Sequence, residues 1–383
     1  MKRPAEAPGT RAAAGSSGLQ GSTPENSNCG QGFFRKWGSF IRFSHTAFAL
    51  PFGLAGMAVA ARNNRGWPGS LKFILILFAL VAARTCAMAF NRIVDREFDA
   101  LNPRTASRHL PTKQVSLAGA ALLCGLGAAG LVLASYFLNS LCFYLSPLAL
   151  GIICFYSLTK RFTDYTHLYL GIALALAPIG AWLAVKGTDV SLLEVFQMLV
   201  LALAVVLWLV GFDIIYSLQD YDFDRSHRLH SLVVAWGPKN ALQAAFLAHM
   251  LMCGLLLLFG LLCGFGIAYL VGWLMILGCL VLEHWIARRR SLDWVNLAFF
   301  RLNAIVSFVF LTVTLAEVIF LGGPFRAVGR RSRLETPPAR WSADIVVGSG
   351  PEVAPTLLLT ELSALRPSLT DRGEAIVRHN SLT

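Results

Sequence analysis

Charge is scarce in this chain: 14% of its 383 residues are Asp, Glu, Lys or Arg, against about a quarter in an ordinary soluble domain. With 56% hydrophobic residues and a mean hydropathy of +0.60, that deficit excludes a soluble globular protein. Acidic residues are the scarcest, 21 against 33 Lys and Arg, which leaves a net charge of +12. A nucleic-acid binder gathers such an excess in a groove interleaved with aromatic side chains. Here the basic residues lie in short loops between apolar runs and in the C-terminal stretch, so nucleic acid is not an expected partner. The eight cysteines lack metal-ligand spacing, and seven fall in or beside apolar runs. They read as small buried hydrophobes, which excludes a disulfide framework or a zinc site. The opening residues are polar, small and rich in Gly, Ser and Pro, so no cleavable signal peptide is expected.

What the chain does have is long apolar runs. VFQMLVLALAVVLWLVGF (195–212) is one, and a run of that length reads as a transmembrane helix. Nine spans are expected, near 46–61, 70–91, 116–136, 139–158, 166–185, 193–219, 238–262, 266–287 and 295–322. They define an all-α polytopic membrane protein. A disordered tail is expected at 1–32, the membrane domain at 33–323, and a poorly structured tail at 324–383, where the composition returns to Arg, Pro, Gly and Ser. The loops after the even-numbered spans carry Arg92, Arg96, Arg104, Arg108 and Lys113, then Lys160 and Arg161, then Arg225 and Arg228, then Arg288 to Arg290. The positive-inside rule puts these loops and the N-terminus in the cytoplasm. Arg62, Arg65 and Lys72 in the first outer loop, and an Arg-rich tail placed outside, run against that bias.

Ionisable groups at membrane depth are costly and are functional candidates by default. Two span ends on the cytoplasmic side concentrate them. The second span runs into Asn91, Asp95 and Asp99, whose spacing of four makes one helical stripe with neighbouring Cβ atoms about 5–6 Å apart. The sixth runs into Asp213, Asp220 and Asp224, whose offsets of seven and eleven return to one face of a continuous helix. Like charges in such rows repel, so two rows at one depth call for a cation. Magnesium fits: it prefers oxygen ligands and binds through a few carboxylates and the phosphates of a substrate. A polyprenyl diphosphate supplies those phosphates and a tail suited to the bilayer.

NRIVDREFDALNPRTASRHLP (91–111) and DIIYSLQDYDFD (213–224) resemble the UbiA superfamily of intramembrane prenyltransferases, over about residues 33–322. The resemblance implies nine helices around a lipid-open cavity and transfer of a polyprenyl group to an aromatic ring. It implies that Asn91, Asp95, Asp99, Asp220 and Asp224 hold diphosphate through Mg²⁺, the four aspartates and Tyr156 being catalytic. In FIRFSHTAFALPFGLAG (40–56), Arg42 takes the position facing an aromatic acid acceptor. Tyr156 and Lys160 match a Y-x3-K pattern, Tyr156 lining the cavity and Lys160 meeting diphosphate. Arg104, Arg108, Asp213 and Tyr216 complete the substrate-binding set. Where the family reads R-P-L-P, this chain has Arg108-His109-Leu110-Pro111, which puts that loop's rigidity in question. The wording of both motifs is nearest to bacterial quinone-pathway members, which implies a bacterial plasma membrane enzyme. The expected acceptor is 4-hydroxybenzoate, with a dihydroxynaphthoate as the alternative; a membrane transporter is the alternative from another class.

Since the resemblance stops at the ninth span, removal of residues 330–383 should leave insertion and prenyl transfer nearly unchanged. Assay of the truncated chain in membranes checks this; a loss beyond about tenfold in rate, ~1.4 kcal/mol of barrier, makes the tail part of the working enzyme.

Overall fold

The structure, a computed structural model, describes residues 43–289 and 292–321, and among these the side chains at 50–288 and 300–320. Both expected tails and Arg42 lie outside the described residues. Among the described residues nine long helices stand: α1 (Phe43–Ala60), α2 (Ser70–Leu101), α3 (Leu117–Leu138), α4 (Ser140–Phe155), α5 (Thr166–Lys186), α6 (Leu192–Ser217), α8 (Leu232–Cys263), α9 (Ile267–Arg289) and α10 (Leu292–Ala316), with a short α7 (Tyr221–Ser226) after α6. Among the described residues, eight are long and apolar enough to cross a membrane. The apolar part described for α1, Leu50–Ala60, is shorter than a span.

Local signals set the helix starts. Ser116, Asn139, Ser191 and Ser231 are N-caps whose side chains accept from the backbone N–H three residues on, satisfying donors that a helix end otherwise leaves open. Ser191 forms a reciprocal pair with Glu194, which is also bridged by Lys186 at 2.7 Å. The seventh span, expected from 238, begins six residues earlier; Gly237, at φ 76°, bends the chain and Pro238 restarts the helix. Helix α2 continues ten residues past the expected end of its span. Its 32 residues reach about 48 Å, against a hydrocarbon core of roughly 30 Å. The last turns therefore stand at the membrane interface, and these carry the first acidic stripe.

Each long helix packs on its successor and α10 packs on α1, so the succession closes, while α1 also lies against α5. The core between α1, α5, α6, α8 and α10 is built on large buried rings, with Phe52 centred 5.0 Å from both Trp208 and Phe310. Elsewhere small residues let backbones touch. A Cβ on Gly127 of α3 would fall 2.7 Å from the Cys86 amide nitrogen and 2.9 Å from the Ala82 carbonyl of α2. Gly130 is less tight, meeting side-chain atoms of Ala82 and Phe78 at 3.3 Å, and Gly125 has nothing within 4 Å. Pro178 does not break α5; it receives Gly56 of α1, where a Cβ would meet its carbonyl oxygen at 2.9 Å.

Gly127→Val should therefore lower stability by about 1–3 kcal/mol through overpacking against rigid backbone, whereas Gly125→Val should be near neutral. Thermal midpoints of the two solubilised variants check this, and equal shifts would refute the contact.

Candidate active site

The first acidic stripe forms as its spacing predicts. On α2, Asn91 Nδ2 donates to Asp95 Oδ2 at 2.7 Å, one turn away. Asp99, one turn further, is buried, and the loop after α2 folds back over it: Arg108 Nη1 donates to its Oδ1 at 2.5 Å and Arg92 Nη1 lies 3.7 Å from its Oδ2. At this loop the chain has His109 in place of the family's proline. Backbone hydrogen bonds from Val115 to His109 and from Lys113 to Leu110, at 3.1 and 3.0 Å, close it.

The second stripe forms differently. The sequence predicts one continuous helix from 193 to 219 and onward through Asp224. Instead α6 stops at Ser217, residues Leu218–Asp220 make one tight turn, and α7 resumes at Tyr221. The Ser217 hydroxyl donates to the Ile214 carbonyl at 3.0 Å, drawing the last turn tight. Asp213, Asp220 and Asp224 still face one space.

Each carboxylate meets a partner from another part of the chain. Arg104, in the loop after α2, grips both oxygens of Asp220, with Nε donating at 2.8 Å, and Asn102 Nδ2 donates to the same carboxylate at 3.0 Å. Arg104 Nη1 also donates to the Tyr216 hydroxyl at 2.8 Å, and its guanidinium lies over that ring, 5.2 Å from the centroid. Burial works to lower the Arg104 pKa, but its bonds to Asp220 and Tyr216 outweigh this and raise it. Lys160, in the tight turn Tyr156–Arg161 that follows α4, donates to Asp224 Oδ2 at 3.1 Å. Arg161 ties that turn to α2 through the Val94 carbonyl at 2.7 Å. His167, in the first turn of α5, sits 2.7 Å from Asp213 Oδ2.

These groups line one cavity of about 270 Å³. Asn91, Asp95, Asp99, Arg104, Arg108, Tyr156, Lys160, Asp213, Tyr216, Asp220 and Asp224 all border it; only Arg42, of the expected site residues, falls outside the description. Five aspartates are met there by six cations, Arg84, Arg92, Arg104, Arg108, Lys160 and Arg161, so the charges nearly balance. Among the described residues no three His, Cys, Asp or Glu side chains gather at a common metal-ligating point. A second cavity, about 240 Å³ and lined almost wholly by apolar side chains of α2 to α5, shares Arg84 and Tyr156 with the first. It reaches from Tyr156 to Cys142 at the far end of α4, about 21 Å along the helix.

Sequence reasoning missed Asn102 and His167. Asn102 carried no signal, since its partner is 118 residues away. His167 carried one: an ionisable side chain at the start of an apolar span, on the side where the acids collect.

A multi-pass helical protein with an acid-lined polar cavity adjoining an apolar one belongs to the class of intramembrane enzymes that act on amphipathic substrates. Residues 49–305 match the UbiA prenyltransferase family, and the chain belongs to it. It is 30% identical over 244 residues to the 4-hydroxybenzoate octaprenyltransferase of Paraburkholderia phytofirmans, spanning 62% of this chain and 80% of that one. To the protein of the same name from Alcanivorax borkumensis it is 34% identical over 196 residues, 50% of this chain and 64% of that one. Among solved structures, the apo form of a UbiA homolog from Aeropyrum pernix K1 is 35% identical with a TM-score of 0.64, covering 71% of this chain and 97% of that one. A UbiA homolog from Archaeoglobus fulgidus bound to DMAPP and Mg²⁺, 19% identical with a TM-score of 0.56, covers 74% and 99% and shares the fold.

The Arg104–Asp220 pair is open to a direct test. Arg104→Met leaves a buried carboxylate short of its main donor, which should cost about 1–3 kcal/mol. Asp220→Asn in the same chain should recover most of it. A thermal double-mutant cycle reads this; additive losses would mean that the two groups do not depend on one another.

Proposed function

We propose that this prenyltransferase moves a polyprenyl group from polyprenyl diphosphate to 4-hydroxybenzoate in ubiquinone biosynthesis, in the bacterial plasma membrane with its polar cavity on the cytoplasmic side. The observation that carries the donor is the pair of adjacent cavities that share Arg84 and Tyr156. One is polar, rich in charge and sized for a headgroup; the other is apolar, long and set among lipid-facing helices. The acceptor rests on the relatives named for that reaction, which match this chain over most of their length. The orientation rests on the basic loops at the cavity end of the helices.

The donor set suits a hard divalent cation. Asn91, Asp95, Asp99, Asp220 and Asp224 offer oxygen only, and Asp99 Oδ2 is buried without a hydrogen bond. These residues would hold Mg²⁺, which when bound neutralises charge on the leaving diphosphate. Lys160 and Arg108 stand beside the same carboxylates and supply hydrogen-bond donors to phosphate oxygens. Tyr156, which borders both cavities, positions the allylic carbon between headgroup and tail. Arg42 takes the acceptor's carboxylate, and Asp213 and Tyr216 border the space left for its ring.

Asn at Asp95, Asp99, Asp220 or Asp224 should each cut turnover at least about a hundredfold, the scale of a lost electrostatic group in an active site, with insertion intact. Lys160→Ala should raise the KM for the diphosphate, and Arg42→Ala that for the aromatic acid. Steady-state assays with labelled donor across a Mg²⁺ titration check both: near-normal rates in two of the aspartate variants, or interchanged KM effects, would sink the assignments.

A further inference from the structure

His167 is singled out neither by the two acidic motifs nor by the family likeness. It stands in the first turn of α5, 0% exposed, with Nδ1 2.7 Å from Asp213 Oδ2 on α6. An ionised carboxylate only accepts, so Nδ1 carries a proton and donates it to that hydrogen bond. The ring's other nitrogen, Nε2, is buried with no hydrogen-bond partner. A buried imidazole left half satisfied costs free energy, and at this position it makes one contact that orients a cavity group.

Of the five cavity carboxylates, Asp213 alone stands outside the set proposed to hold the metal. Asp99, Asp220 and Asp224 are matched by Arg108, Arg104 and Lys160, and Asp95 by the Asn91 amide. A guanidinium or ammonium partner stabilises the charged carboxylate and makes it a poor proton acceptor. Asp213 has the imidazole on one oxygen while its side chain, 21% exposed, borders the cavity. A carboxylate has lone pairs on both oxygens, so holding Oδ2 aims Oδ1 without consuming it.

We propose that His167 is a positioning residue that aims Asp213 as the base for the aromatic acceptor's ring proton. The inference rests on the prenyl transfer proposed above. In that transfer the allylic C–O bond breaks and its electron pair leaves with diphosphate. A ring π pair forms the new C–C bond. The proton on the attacked ring carbon then passes to Asp213, and the C–H pair restores aromaticity; nothing is oxidised or reduced.

The test uses the full chain in lipid nanodiscs with Mg²⁺, geranyl diphosphate, and 4-hydroxybenzoate carrying H or D at the ring carbons beside the hydroxyl-bearing carbon. Wild type should show no primary isotope effect on kcat. His167→Leu should lose roughly a hundredfold in kcat, the usual weight of a placed general base, keep its KM for the donor, and acquire a primary isotope effect. His167→Asn keeps an N–H near the Nδ1 position and should restore both rate and isotope silence. Asp213→Asn, which retains a hydrogen-bond acceptor for His167, should show the same rate loss with donor binding intact. Wild-type turnover tests the reaction itself, and the contrast between variants tests His167. A His167→Leu enzyme at the wild-type rate without an isotope effect overturns the role. So does a loss that Asn does not rescue and that extends to the donor KM, or an Asp213→Asn enzyme that turns over normally.

Discussion

Carboxylates held at the edge of a bilayer need compensation, and in this protein most of it comes from a different element. Asp220 at the end of α6 is gripped by Arg104 from the loop after α2; Asp99 on α2 by Arg108 from that same loop; Asp224 on α7 by Lys160 from the turn after α4. Taking a charge out of water costs several kcal/mol unless an opposite charge and good hydrogen bonds replace the hydration. Three such pairs therefore do more than neutralise. They tie the ends of α2, α4 and α6 together around the space they enclose, where apolar packing alone would leave helix ends free to splay.

The same pairing bears on binding. A cavity whose aspartates and basic side chains are already matched cannot take an anionic headgroup without exchanging partners. On the proposed reading, a cation that takes the carboxylates releases Arg and Lys to face phosphate, so metal and diphosphate enter as one neutralising unit. Asp213 stands apart from that exchange because its partner is an imidazole.

Packing divides the labour between the two sides of the molecule. Around α1, α6, α8 and α10, large rings interlock and leave a solid core. Between α2, α4 and α5 small residues alternate with Leu and Ile around the apolar cavity, among them Ala79, Ala83, Ala87, Ala173, Ala177 and Gly180. Lipid tails are as apolar as side chains, so no hydrophobic force collapses such a space in a bilayer. Small residues can keep it open for a hydrocarbon guest.

Much of this was legible in the primary structure because a bilayer imposes simple rules. Every span must satisfy its own backbone and present about twenty apolar residues, so the nine helices and the two acid-bearing ends could be read from local pattern. The Asn91–Asp95 contact was legible for the same reason, being set by helical spacing alone. The turn at Leu218–Asp220 was not, since its residues are compatible with helix and only their surroundings decide. Nor were the partners of Asp220 and Asp213, which lie 116 and 46 residues away. Which cation meets which carboxylate depends on how helix ends are juxtaposed by packing. Charge attraction falls off with distance through space and is blind to distance along the chain, so the sequence alone determined where the charges are, and the tertiary structure decided which partner each one meets.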